Sequence, residues 1–232
     1  MAIRRFGYNI RPLIMGSINR FLMVCLGAGM VFSSTALGAS EPKRFGLGGM
    51  IGGTVTNVAN HPLETKSLKR FQVAGFLNYR LTRMISYQMD LVVIGKGYNL
   101  PNMEAFDSDD TLFIFSTSIT ALITYVEMPI MLKISAPVRG KFIPYLLGGG
   151  YGSFLLSNKL RLPDSVLLRY GEHTLANVKK LEAGAIVGAG LDITAGDGFV
   201  TLETRYEIGL TTVIKKQPQK NRAWTFAIGY WF

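Results

Sequence analysis

Apolar and polar residues alternate along this chain at period two. Over the last eleven residues, Arg222 to Phe232, one face carries Trp224, Phe226, Ile228, Tyr230 and Phe232. The other face carries Ala223, Thr225, Ala227, Gly229 and Trp231. Large apolar side chains on one face and small ones opposite predict a strand in a barrel wall, with lipid outside and a crowded lumen inside. A soluble edge strand would be blunted by charge or proline, and this one is not.

The same alternation recurs upstream. Phe71 to Thr82 sets Phe71, Val73, Leu77, Tyr79 and Leu81 outward against Gln72, Ala74, Phe76, Asn78 and Arg80. Ile85 to Tyr98 sets Tyr87, Met89, Leu91 and Val93 against Gln88, Asp90, Val92 and Lys96. A strand ending at Ile134, beginning as early as Leu112, sets Val126, Met128, Ile130, Leu132 and Ile134 against Tyr125, Glu127, Pro129, Met131 and Lys133. Pro129 inside it predicts a bulge, because proline cannot donate to a ladder. Leu181 to Ile193 turns Glu182, Ile186 and Asp192 inward, and Phe199 to Val213 turns Glu203, Arg205 and Glu207 inward. Phe45 to Val55 is a glycine-heavy first strand. Phe142 to Leu156 contains Gly148-Gly149-Gly150, and both of its registers remain open.

These segments make eight strands. Short turns near Arg83, Val138 and Asp197 alternate with longer loops over 57–69, 99–111, 157–179 and 215–221. Ala195-Gly196-Asp197-Gly198 is a hairpin signature. An even strand count with alternating short turns and long loops predicts an all-β, eight-stranded antiparallel up-and-down transmembrane β-barrel, its short turns periplasmic.

Composition agrees with that architecture. Of 232 residues, 48% are hydrophobic and 17% charged, and the mean hydropathy is +0.25. Beyond the N-terminus no apolar run reaches the ~18 residues that a transmembrane helix needs. Residues 1–39 read as a cleaved signal peptide. Arg4, Arg5, Arg11 and Arg20 form its basic start, Phe21 to Leu37 its apolar stretch, and Ala36, Gly38 and Ala39 its small residues before Ser40. Residues 40–232 are then the barrel domain. The single cysteine, Cys25, lies in the apolar stretch. The mature chain would carry no thiol for catalysis or metal binding.

The formal charge of +10 falls on cleavage, since four of 25 basic residues and none of 15 acidic ones precede Ser40, leaving 21 − 15 = +6. Basicity alone can suggest nucleic acid. No basic helix face or aromatic stacking platform supports such a partner, and none is expected.

The inward positions collect Arg80, Asp90, Lys96, Glu127, Lys133, Glu182, Asp192, Glu203, Arg205 and Glu207. A lumen of about eight strands is just wide enough for side chains to fill. Charges confined there pair with one another or line a water-filled pore; the narrowness favours a plug. Glu203, Arg205 and Glu207 share one inward column, which makes Arg205 the expected hub, with Glu127 and Lys133 completing the network across the lumen. Catalytic readings are thin. His61 and His173 both fall in loops, and His173 with Glu172 and Ser165 has no spacing that demands hydrolysis. Asp107, Asp109 and Asp110 lack the glycine and terminal glutamate of an EF-hand calcium loop. No cofactor and no metal are expected.

Tyr125-Val-Glu-Met-Pro-Ile-Met-Leu-Lys133 resembles the Y-x-E-x-P-x-x-x-K strand of PorT-like outer-membrane β-barrel proteins, a porin-like family. Pro144-Tyr-Leu-Leu-Gly-Gly149, Gly188-Ala-Gly-Leu-Asp192 and Glu203-Thr-Arg-Tyr-Glu-Ile-Gly-Leu210 are similar to further family segments, in the same order. The terminal Phe232, with Phe226, Ile228 and Tyr230 behind it, resembles the assembly signal of bacterial outer-membrane barrels. The glycine-heavy first strand and the long third loop depart from the family pattern. The resemblance implies an integral outer-membrane protein among lipid and lipopolysaccharide, inserted by the barrel-assembly machinery. It further implies an anchoring or loop-mediated role toward envelope proteins, accessory to envelope or secretion machinery in some relatives. A narrow porin-like channel and a lipid- or peptide-modifying enzyme are the alternatives.

Overall fold

The computed structural model describes residues 44–103, 117–138, 140–161, 178–214 and 218–232. Eight antiparallel strands close on themselves in sequence order: β1 Phe45–Ala59, β2 Lys66–Arg80, β3 Ile85–Met103, β4 Thr117–Ser135, β5 Phe142–Arg161, β6 Leu181–Ala195, β7 Gly198–Gly209 and β8 Lys220–Trp231. β8 completes the circle by pairing with β1 from Gly48↔Trp231 to Ala59↔Lys220. Closure leaves no unpaired sheet edge, which strands in hydrocarbon require. The fold class expected from the alternation is the one observed.

The faces follow the sequence pattern. Phe71, Val73, Leu77, Tyr87, Met89, Leu91, Met128, Ile130, Leu132, Trp224, Phe226, Ile228 and Tyr230 are all exposed on the outer wall. Their neighbours Gln72, Ala74, Asn78, Gln88, Val92, Met131, Ala223 and Thr225 are buried inside. The Gly196-Asp197 turn joins β6 to β7, with Gly196 at φ 61°, a conformation that glycine adopts without strain.

At the long-loop end the strands outrun the sequence expectation. β1 and β2 extend to Ala59 and from Lys66, where a polar loop over 57–69 was expected; β3 and β5 continue to Met103 and Arg161. Ladder pairing continues above the apolar band, so outward polar residues there belong to strands. β7 is shorter than expected, ending at Gly209 instead of Val213. Val213 turns in beside Val178 and Ile214, onto the buried Ile94, Ile123 and Tyr125. An apolar layer therefore sits over the lumen at this end.

The bulge expected at Pro129 is absent. The β3–β4 ladder loses pairing opposite Pro129 but keeps its register on either side, Met89↔Ile130 and Val92↔Glu127. Register shifts fall instead at Ser67/Gln72, Leu100/Met103 and Thr124/Tyr125. At the first of these, Gly95 and Gly97 accept from the hydroxyls of Thr54 and Thr56, at 3.1 and 2.8 Å. β1 thus satisfies carbonyls that the bulged β2 leaves open.

The open register of β5 resolves by size matching with β6. Tyr145, Leu147 and Tyr151 point inward, opposite Gly190, Gly188 and Gly184. A Cβ on Gly190 would strike the Tyr145 ring, and one on Gly184 the Tyr151 ring. The inward glycines of β6 are seats for the large residues of β5.

Candidate functional site

Among the described residues, ionisable groups concentrate in the lumen. Of the ten residues expected there, nine are buried: Asp90, Lys96, Glu127, Lys133, Glu182, Asp192, Glu203, Arg205 and Glu207. Arg80 lies at the short-turn rim. It lines a cavity of about 60 Å³ with Asn78, Ser86, Lys133, Asp192 and Trp231, and forms no ion pair among the described residues. The nine buried groups divide into three layers, each built on one cation.

Nearest the short turns, Lys133 Nζ meets Asp192 Oδ2 at 2.8 Å. The ammonium also lies 3.6 Å from the Tyr145 ring centroid and 5.4 Å from that of Trp231. Trp231 Nε1 donates to Asp192 Oδ1 at 3.3 Å. Aromatic faces on one side and a carboxylate on the other replace the water that a buried ammonium loses.

The middle layer belongs to Arg205. It meets Asp90 Oδ2 at 2.6 Å across the lumen and Glu203 through its Nε on the same strand. Gln88 Nε2 donates to Asp90 Oδ1 at 3.2 Å. The Tyr145 hydroxyl donates to Glu203 Oε2 at 2.7 Å and contacts Thr201 Oγ1 at 2.8 Å. The expected column is thereby corrected. Arg205 takes Glu203 but not Glu207 and meets Asp90 across the lumen, while Glu127 joins Glu207 through Lys96 and Lys133 pairs with Asp192.

The third layer belongs to Lys96, whose Nζ sits 2.5 Å from Glu127 Oε1, 3.0 Å from Glu207 Oε2 and 3.8 Å from Glu182 Oε1. Its ammonium is 4.5 Å from the Tyr151 ring centroid. Glu182 is held further by the Tyr151 hydroxyl at 2.8 Å and by Asn221 Nδ2 at 2.7 Å.

Six carboxylates thus face three cations. Neutral donors carry the difference: Tyr145, Tyr151, Asn221, Gln88 and Trp231 each donate to one of the acids. Of these, Tyr145 and Tyr151 escape the sequence reading because β5 has no legible register, and Asn221 because 215–221 reads as a loop while β8 starts at Lys220. A signal was present. The six-residue spacing of Tyr145 and Tyr151 equals that of Gly184 and Gly190, so both rings can seat on β6 together. Charge-assisted hydrogen bonds of this kind are the strong ones. Satisfaction is incomplete in the Lys96 layer, where Glu127 Oε2 and the Tyr125 hydroxyl are buried without a hydrogen-bond partner among the described residues.

The remaining expected sites place as follows. Phe226, Ile228 and Tyr230 are exposed on the outer wall. Phe232 joins β1 through Leu47, its N–H donating to the Leu47 carbonyl at 3.1 Å and its carbonyl accepting from the Leu47 N–H at 3.0 Å. His61 lies in the short β1–β2 connection, its Nδ1 accepting from the Leu63 N–H at 3.0 Å. Residues 1–39, Asp107, Asp109, Asp110, Ser165, Glu172 and His173 lie outside the described residues.

No curated protein matches the chain. Among solved structures, the chain is similar to Neisserial surface protein A, at 14% identity and a TM-score of 0.46, with 81% of this chain and 95% of that one covered. It is similar to Ail, the attachment invasion locus protein of Yersinia pestis, at 12% identity and TM-score 0.44, covering 81% and 98%. It is also similar to the outer membrane protein OprG of Pseudomonas aeruginosa, at 11% and 0.47, covering 81% and 95%. A family model matches residues 32–215, most of the chain and all of β1 to β7. With its closed eight-stranded architecture, the chain belongs to the outer membrane protein beta-barrel domain family.

Proposed function

We propose that this protein is a non-conducting outer-membrane barrel whose lumen is a rigid plug, and that it serves the envelope as an anchor or through its long-loop face. The observation that carries the proposal is the stack of three ion-paired layers inside the barrel, in which Lys96 is 0% and Arg205 2% exposed. Isolated charges at such depth would be prohibitively costly. Pairing with one another, together with the apolar layer of Val213 and its neighbours over one end, supports a lumen closed to bulk water. The PorT-like segments in β4 to β7 support a role accessory to envelope or secretion machinery. Residues 1–39 act as the export signal, and the short turns face the periplasm, as in other barrels.

The test is reconstitution of the mature chain. It should migrate faster unboiled than boiled on gels, and planar bilayers containing it should show no unitary conductance steps. Reproducible steps that vary with the electrolyte would favour the narrow channel. Hydrolysis of added lipid or peptide would favour the enzyme.

The C-terminal residues bear on partners. We propose that Phe226, Ile228, Tyr230 and Phe232 are read by the barrel-assembly machinery. Converting Tyr230 and Phe232 together to serine removes partly exposed aromatic contacts, at a cost to intrinsic stability of at most ~1.5–3 kcal/mol per side chain. In cells the loss of assembled protein should be far greater than that, as measured by the heat-modifiable fraction in membranes. Normal assembly of the double variant would rule the signal out.

A further inference from the structure

The mouth at the short-turn end holds charge that the plug does not use. Ladder pairing places Arg80, Ser86 and Lys133 in one inward row, since Arg80 pairs with Ser86 and Ser86 with Lys133. Lys133 is already engaged by Asp192 and by the rings of Tyr145 and Trp231. Arg80 is not. Among the described residues, neither its guanidinium nor that of Arg83, in the β2–β3 turn, has an ion pair or a hydrogen bond.

Both arginines line the cavity of about 60 Å³ at this end. Asp192 is its only acid among the described residues, and both oxygens are taken. Oδ2 faces Lys133, and Oδ1 accepts from the Trp231 indole N–H. Asp197, the one carboxylate side chain described in the short turns, does not line the cavity. Two positive charges are therefore left uncompensated. Phe199 and Trp231, stacked with ring centroids 4.5 Å apart, form an apolar part of the wall. A cleft of one charge sign beside such a wall concentrates the field on its ligand. Ser86 and Asn78 add a hydroxyl and an amide as neutral donors.

We propose that this mouth binds the phosphate group of a soluble phosphomonoester, which enters along the barrel axis from the short-turn side. Charge, shape and direction each select that ligand. A phosphomonoester carries about −1.5 to −2 charges near neutral pH, which matches two unpaired guanidiniums. The guanidinium fork fits two phosphate oxygens at once, and hydroxyl and amide donors serve the others. The cavity has room for a few waters or one small oxyanion, so the rest of the ligand stays outside. Arg80 and Ser86 face the lumen, so the approach is axial, whereas phospholipid headgroups ring the outer wall. The site lies on the short-turn side of the Arg205 and Lys96 layers and uses neither.

The test is calorimetric titration of the full mature chain in maltoside detergent with inorganic phosphate, glycerol 3-phosphate and acetate. Both phosphates should saturate one site per chain, and acetate should bind about tenfold more weakly or worse. Arg80→Gln should weaken phosphate binding by about tenfold or more. Ser86→Val narrows the cavity without changing its charge and should also weaken it. Lys141→Gln removes one charge from an exposed position at the same end, outside the cavity, and should leave the affinity near that of the wild type. All variants are compared as their heat-modifiable, folded fraction. Absence of saturable phosphate binding overturns the site, and so does binding of inorganic phosphate without glycerol 3-phosphate. Equal losses in Arg80→Gln and Lys141→Gln would mean diffuse attraction to a basic rim, and equal affinity for acetate would mean no phosphate site; either overturns the proposal. Native mass spectrometry with phosphatidylglycerol covers the membrane source. Lipid retention that Arg80→Gln abolishes, without binding of inorganic phosphate, would replace the axial ligand by a headgroup at the wall.

Discussion

Arg205→Ala should destabilise the barrel by about 3–5 kcal/mol, the usual result of removing one partner from a buried ionic cluster. The substitution leaves Asp90 and Glu203 facing each other with only Gln88 and Tyr145 to hold them. Denaturant unfolding in lipid vesicles measures the loss, and bilayer recording of the same variant separates two interpretations. A plug predicts lost stability without conductance. A water-filled lumen screens the orphaned acids and predicts nearly unchanged stability. A second comparison isolates the charge itself. In an Asp90→Asn/Glu203→Gln background, Arg205→Ala should cost much less, and the difference is the coupling energy of the cluster. Equal costs in both backgrounds would mean that Arg205 acts through packing alone.

The architecture was legible in the sequence because a lipid-facing strand is written at period two, and one residue of slippage would turn its whole apolar face into the lumen. That constraint fixed β2, β3, β4, β6, β7 and β8, and with them the inward direction of the nine buried charges. It failed where no side chain marked a face. Gly148, Gly149 and Gly150 erase the alternation in β5, and only the fit of Tyr145 and Tyr151 onto Gly190 and Gly184 restores it. It failed again above the membrane band, where ladders continue but outward residues need not be apolar; Lys66 to Lys69 read as loop for that reason. Val213 misled in the opposite direction. Its apolar side chain continues the β7 pattern, yet the strand ends at Gly209 and the residue serves as a lid. Pairing inside the lumen was the least legible feature. Period two places Glu203, Arg205 and Glu207 in one column, but the barrel's closure decides that Arg205 reaches Asp90 while Glu207 turns to Lys96.

Lys96 is the position where the plug should fail most completely. Its ammonium is the only cation among the described residues that contacts Glu127, Glu182 and Glu207. Lys96→Met retains most of the side-chain volume and removes only the charge. Three carboxylates then share a layer with no counter-charge, and among the described residues the neutral side-chain donors, Tyr151 and Asn221, serve Glu182. The ~3–5 kcal/mol expected of one orphaned group is therefore a lower bound here. For a domain of ordinary stability, about 5–15 kcal/mol, the loss is a large part of the total. Lys96→Met should consequently refold poorly into vesicles at neutral pH, seen as a small heat-modifiable fraction. The compensating change is specific. Adding Glu127→Gln and Glu207→Gln removes the two carboxylates nearest the lost ammonium, and folding should recover, since neutral amides can hydrogen-bond to each other and to Glu182. Packing loss predicts no recovery, because the glutamines restore no volume at position 96. Efficient folding of the single variant, accompanied by cation-selective conductance, would show that water reaches this layer, and the plug would give way to the channel.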